Sequence, residues 1–176
     1  MVAQLPPAAL SARPAGVARR AIDAALVALL AALFVRTFVC QLVRVPSGSM
    51  APALLAGDRV LVDRLLYAGA GGLARLLPVR APAPGDVVVF RSPEERRRLL
   101  VKRCVAVGGD SYRGGYLPAG TLALEGDDAA RSHDSRDFGP VAGGALVGRA
   151  VAVAWSVEPG AGLAGLRGSR TLARVR

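Results

Sequence analysis

Residues 24–43 (AALVALLAALFVRTFVCQLV) form a stretch broken only by Arg36, Thr37 and Gln41. As a helix such a run reaches about 30 Å, enough to cross the hydrocarbon core of a bilayer. It therefore predicts a membrane anchor over residues 23–43 and leaves the rest of the chain to build a separate body. Arg19 and Arg20 precede it, which favours an N-terminus inside and a body outside. Residues 1–22 then read as a cytoplasmic segment, rich in Ala and Pro at its start and disordered there. A cleavable signal peptide is the competing reading, because residues 24–35 have the length of an h-region. No A-x-A-like site follows them.

Past the anchor the period of the sequence changes. Residues 58–64 (DRVLVDR), 86–91 (DVVVFR), 99–107, 121–125 and 146–155 are short, rich in Val and Leu, and separated by Gly and Pro, which predicts strands. The expectation is a mostly β body over residues 44–158 without a long amphipathic helix, and 176 residues suffice for one such domain plus an anchor. Residues 67–84 are too rich in Gly and Pro for a regular element but apolar enough to touch a membrane surface. The basic tail, residues 159–176, is expected to be loosely ordered.

A net charge of +10 raises the question of a nucleic-acid partner. The distribution answers it. Arg13, Arg19, Arg20, Arg36 and Arg44 flank the apolar stretch, and Arg167, Arg170, Arg174 and Arg176 sit in the tail. Few aromatics are available to stack bases and no nucleic-acid motif is present, so no nucleic acid is expected. Cys40 and Cys104 make no metal motif and are not expected to pair. The basic residues divide into 22 Arg and a single Lys, Lys102. Arg stays protonated, whereas a desolvated Lys can lose its proton and act as a base. Lys102 lies within LVKRCVAV, where strand alternation places Val101 and Arg103 on the opposite face. Burial there would lower its pKa; a solvated head on an edge strand is the alternative.

Two further segments carry chemistry. VPSGSMAPAL, residues 45–54, sets Ser47 and Ser49 around a glycine and between prolines, a rigid turn that can present a hydroxyl or simply lead the chain away from the membrane. EGDDAARSHDSRDFG, residues 125–139, is a dense polar loop following a strand. It holds the only histidine, His133, which in so charged a loop reads as a solvated residue rather than a base.

Together the blocks RTFVCQLVRVPSGSMAPAL, PGDVVVFRSP, LVKRCVAVGGD, LPAGTLALEGDDAARSHDSRDFGPV and GRAVAVAW resemble, in order, the type I signal peptidase family of Ser/Lys serine proteases. The resemblance implies a compact signal-peptidase-like β body behind one N-terminal transmembrane helix, and an endopeptidase that removes signal peptides from exported preproteins through an acyl-enzyme. It implies Ser49 as nucleophile and Lys102 as general base. Ser132 would be the hydroxyl that positions the amine, and Ser47 an oxyanion-hole donor. Val45, Pro46, Met50, Leu54, Leu100 and Val101 would line small apolar pockets suited to Ala-x-Ala, and Asp134 and Arg136 would form a loop-stabilising pair. No metal or other cofactor is called for. The implied partners are preproteins, a bilayer with anionic phospholipid and the translocation machinery. The implied place is the bacterial cytoplasmic membrane, single-pass, with the catalytic domain on the exoplasmic or periplasmic face. The chain departs from the family at Asp128, Ala129 and Ala130, where Asn-Arg-Asp is usual, and at Ala53, where Thr is common. A specialised peptidase of the same superfamily, for pilin-like or conjugation substrates, and an inactive membrane-tethered β module are the rival readings.

Overall fold

The structure is a computed structural model that describes residues 15–67 and 80–175. Residues 1–14 of the expected cytoplasmic segment and residues 68–79 of the expected apolar loop lie outside the described residues. Two compact units divide at Val35 and Arg36.

The first unit contains helix α1, Ala15–Phe34. Ile22, Leu26, Val27, Leu29, Leu30, Leu33 and Phe34 are all exposed on it. With a helical step of about 100° per residue, Leu26, Val27, Leu29 and Leu30 leave no single apolar face. The anchor expected over residues 23–43 is not one helix. α1 starts earlier, within the expected cytoplasmic segment, and a π-helical turn, Val35–Val39, follows it before strand β1 takes Cys40–Arg44. The reason for the strand is a partner the local sequence does not reveal: β1 pairs antiparallel with β2, Asp58–Asp63, from Cys40 opposite Asp63 to Arg44 opposite Arg59. α1 itself carries Arg19, Arg20 and Asp23, and among the described residues no helix is long and apolar enough to cross a membrane.

The second unit is mostly β. Its strands continue with β3 Val87–Arg91, β4 Leu99–Val107, β5 Ser111–Tyr112, β6 Gly115–Tyr116, β7 Thr121–Glu125, β8 Val141–Ala142 and β9 Leu146–Ser156. Among the described residues, seven form one antiparallel sheet in the order β1-β2-β9-β3-β4-β7-β8, and β5 and β6 make a small hairpin. β3 is central and buries four successive residues, Val87, Val88, Val89 and Phe90, because both of its faces are covered. Val87 and Val89 join Val43, Met50, Leu54, Val60, Val62 and Val101 in one cluster; Val88 and Phe90 join Cys104, Leu122, Leu124 and Val141 in a second. Cys40 and Cys104 are both free.

The tail expected to be loosely ordered is tied down instead. β3 pairs only with the first part of β9, from Leu146 to Arg149, and β2 occupies the other edge. The vacated edge is taken by the tail: Val153 N–H donates to the Ala173 carbonyl (2.8 Å) and Leu172 N–H to the Val153 carbonyl (2.7 Å). Such pairing satisfies backbone groups that an open edge would leave unmet.

Candidate active site

The loop between β1 and β2 carries Ser47 and Ser49. Its ends are pinched by Val45 N–H on the Asp58 carbonyl (2.8 Å) and Gly57 N–H on the Val45 carbonyl (2.9 Å). Gly57 has φ 93°, and a Cβ there would stand 1.9 Å from the Val157 carbonyl oxygen, so only glycine fits. Met50 and Leu54, both fully buried, root the loop in the core. Between them Ala51 N–H donates to the Gly48 carbonyl (2.9 Å), and the Ala51–Pro52 peptide is cis. Ser49 is left largely buried at the turn, with the Ser47 hydroxyl donating to its Oγ at 3.4 Å.

Lys102 comes from β4, opposite Val88 of β3, and is only 3 % exposed. Its Nζ donates to Ser132 Oγ at 2.8 Å, and the Ser132 hydroxyl in turn donates to Asp134 Oδ2 through a short bond. Burial is the largest influence on the amine and lowers its pKa; Asp134 opposes this, while Arg136 and Arg98 add to it. Burial alone would raise the Asp134 pKa, but the Arg136 guanidinium, the Gly126 N–H and the Ser132 hydroxyl outweigh that and hold the carboxyl well below the ordinary range. Arg136 Nε donates to Asp134 Oδ1 at 2.8 Å, and Gly126 N–H to Oδ2 at 2.8 Å. Asp134 also caps the short helix α2, Ser135–Phe138. An amine that spends one N–H on Ser132 keeps its lone pair for another proton.

The loop bearing Ser132 is fastened to the one bearing Ser49. Asp128 N–H donates to the Ser49 carbonyl at 3.1 Å. Ala129 and Ala130, where the sequence departs from the family, are exposed in a 3₁₀ turn, Ala129–Arg131, closed by an Arg131–Asp128 ion pair of 3.0 Å.

One cleft, with a cavity of about 210 Å³, is lined by Ser47, Ser49 and Lys102 together. Of the residues expected to line substrate pockets, Val45, Pro46, Met50, Leu100 and Val101 are there. Leu54 is not. It lies fully buried in the core, because its N–H closes a turn on the Met50 carbonyl (2.7 Å) and turns it inward. Ser132 and Asp134 stand behind Lys102 rather than in the lining. His133 stands at the rim with its two ring nitrogens facing Glu94 (3.1 Å) and Asp137 (3.3 Å). Sequence reasoning missed the rim residues Ser92, Glu94, Arg98 and Arg131, since none of them stands in a motif that marks a site. It also missed the reason for Gly126: a Cβ there would stand 2.3 Å from Ser132 Oγ and 2.5 Å from the Ser49 carbonyl oxygen.

The family described as Signal peptidase, peptidase S26 matches residues 18–113 and 111–155. Among curated proteins, the signal peptidase I of Aquifex aeolicus is 36 % identical over 93 residues, 53 % of this chain and 32 % of that protein. The signal peptidase I of Pseudomonas aeruginosa is 37 % identical over 101 residues, 54 % of this chain and 34 % of that protein. The chain thus spans about a third of the length of these two relatives. The mitochondrial ATP-independent inner membrane protease subunit 1a of Arabidopsis thaliana is 30 % identical over 135 residues, 69 % of this chain and 74 % of that protein. The family match covers the strands and loops that bring Ser49, Lys102 and Ser132 together, and the chain belongs to the signal peptidase family, peptidase S26.

Proposed function

We propose that this chain is a serine endopeptidase that removes N-terminal signal peptides from exported preproteins, with Ser49 as nucleophile and Lys102 as general base. The observation that carries the reading is the buried Lys102 amine, hydrogen-bonded to Ser132 and opening on the same cleft as Ser49. Neutral Lys102 takes the Ser49 proton as Oγ bonds to the scissile carbonyl carbon. The oxyanion is met by the Ser49 N–H and the Ser47 hydroxyl, and loss of one such donor typically costs about 10² to 10³ in rate. As the C–N bond breaks, Lys102 returns the proton to the leaving amine, and an ester remains on Ser49. Water then attacks the ester, gives a proton to Lys102, and the acid is released with Ser49 reprotonated. No metal or cofactor enters these steps. Small apolar positions beside Ser49, formed by Val45, Met50, Leu100 and Val101, suit Ala-x-Ala-like sites.

The proposal extends to attachment at a bilayer. Among the described residues α1 exposes apolar side chains all round, and a membrane supplies cover for such a surface. In this reading the chain makes a single pass, and Arg19 and Arg20 in the first part of α1 favour the orientation that leaves the catalytic body on the exoplasmic or periplasmic face of a bacterial cytoplasmic membrane, with anionic phospholipid around it and the translocation machinery as a source of substrate. Purified protein in detergent should cleave a labelled preprotein after a small residue, read by mass spectrometry of the products, and Ser49→Ala and Lys102→Ala should each abolish the cut. An unaffected Lys102→Ala enzyme would sink the mechanism.

A further inference from the structure

The nucleophile loop is gripped from behind by the C-terminal tail. Arg170 Nη2 donates to the Ala53 carbonyl (2.9 Å) and to Asp58 Oδ2 (2.8 Å). Asp58 is fully buried, and the same oxygen accepts the Leu55 N–H (3.0 Å). Arg167 Nη1 reaches the Ala56 carbonyl (3.3 Å). Val175 packs against the cluster that holds Met50 and Leu54. The limb of the loop that descends from Ser49 is therefore held at Ala53, Leu55 and Ala56 by the tail or by a carboxylate that the tail neutralises. Arg170 reaches this point because residues 172–175 are hydrogen-bonded along β9, with Val175 N–H on the Val151 carbonyl (3.1 Å) as the last tie.

We propose that Arg170 is a positioning residue for Ser49, acting through Ala53 and Asp58 and not through substrate; the inference rests on the reading of Ser49 as the nucleophile. The cleft is lined by other side chains, so loss of Arg170 leaves substrate contacts in place. It removes a charge-assisted bond from the loop backbone and leaves the buried Asp58 carboxylate without its cation, and such groups relax by moving. The limb is short, and the hydrogen bonds of Leu54 N–H on the Met50 carbonyl (2.7 Å) and Ala51 N–H on the Gly48 carbonyl (2.9 Å) tie it turn by turn to Ser49, so movement at Ala53 is passed along them to Ser49. A displacement of about 1 Å at a reacting atom typically costs about 10²-fold in rate.

The test uses the full chain in detergent with the labelled preprotein, normalised to the fraction of molecules that a serine-directed phosphonate labels at Ser49 when taken to completion. Arg170→Met is expected to lower kcat per labelled site by about 10- to 100-fold with KM within about twofold, and Arg170→Lys, which keeps the cation, to recover part of the loss. Should Arg170→Met fold poorly because Asp58 is left charged, the paired Asp58→Asn/Arg170→Met change removes charge and clamp together, with the same fall expected. A merely structural role would reduce the labelled fraction and leave kcat per labelled site at the wild-type value, and that result overturns the inference. A wild-type chain without turnover overturns the Ser49 reading, and this inference with it.

Discussion

Gly126→Ala is the smallest change that strikes both halves of the site at once. A Cβ at that position would lie 2.3 Å from Ser132 Oγ, 2.6 Å from Ser132 Cβ and 2.5 Å from the Ser49 carbonyl oxygen. Ordinary contact begins near 3.4 Å, so each neighbour must retreat by about 1 Å. None of the three atoms is the free end of a long side chain. Ser132 is held by Lys102 and Asp134, and the Ser49 carbonyl by Asp128 N–H. Overpacking of this kind costs about 1–3 kcal/mol, within the stability of an ordinary domain, so the variant folds. Its chemistry suffers more: Ser49 and Ser132 are pushed apart from the same point, and on the proposed mechanism about 10²-fold is expected from kcat. Preprotein cleavage kinetics beside a thermal melt separate the two effects. A folded Gly126→Ala enzyme with kcat within threefold of wild type would refute the claim that Ser49 and Ser132 must close on residue 126.

The rate should follow the ionisation of Lys102. Its pKa is lowered by burial, so the neutral amine is present above that lowered pKa and lost as pH falls through it; kcat/KM should rise with pH along a single proton limb. Lys102→Arg keeps the charge and cannot shed its proton, and a variant that retained turnover would exclude the amine as base. Asp134 gives the opposite ionisation a role in stability. Its folded pKa lies below the unfolded value of about 3.9, so its contribution is in place above pH 4 and disappears as pH falls below it. Asp134→Asn should cost about 3–5 kcal/mol at pH 7, the scale for breaking a buried pair, and flatten the acid limb of a denaturant titration. An unchanged acid limb would count against the depressed pKa.

The strands were legible because each is a short Val- and Leu-rich run closed by Gly or Pro, and residues 99–107 and 121–125 fold as β4 and β7 over those same bounds. β1 was not, because an apolar run without a clear period suits helix and strand alike, and the deciding partner, β2, lies beyond the whole Ser49 loop. The tail was hidden for the same reason. Its Gly and Arg content is that of a disordered segment, yet Arg170 finds Asp58 112 positions away in the sequence. In the site, Lys102 stood out as the single lysine and Ser49 through the family resemblance, whereas Leu54 was expected in a pocket because proximity in sequence says nothing of the turn on Met50 that sends it inward.

The proposed mechanism needs the buried lysine neutral and also aimed, and the two demands meet in a carboxylate, Asp134, that acts on the amine through Ser132. Because Asp134 is held ionised, it can only accept, so the Ser132 hydroxyl must give its proton to Asp134. The Ser132 oxygen is then left only lone pairs, and the Lys102 N–H is drawn to it. That fixes one amine hydrogen and confines the lone pair to the two remaining tetrahedral directions. The negative charge of Asp134 works against a neutral lysine, but Arg136, paired with it at 2.8 Å, opposes that influence. Removing Arg136 alone should therefore do more than loosen a loop: it should raise the Lys102 pKa and shift the whole pH–rate limb to higher pH, while a change confined to loop packing would lower the plateau and leave the limb where it was.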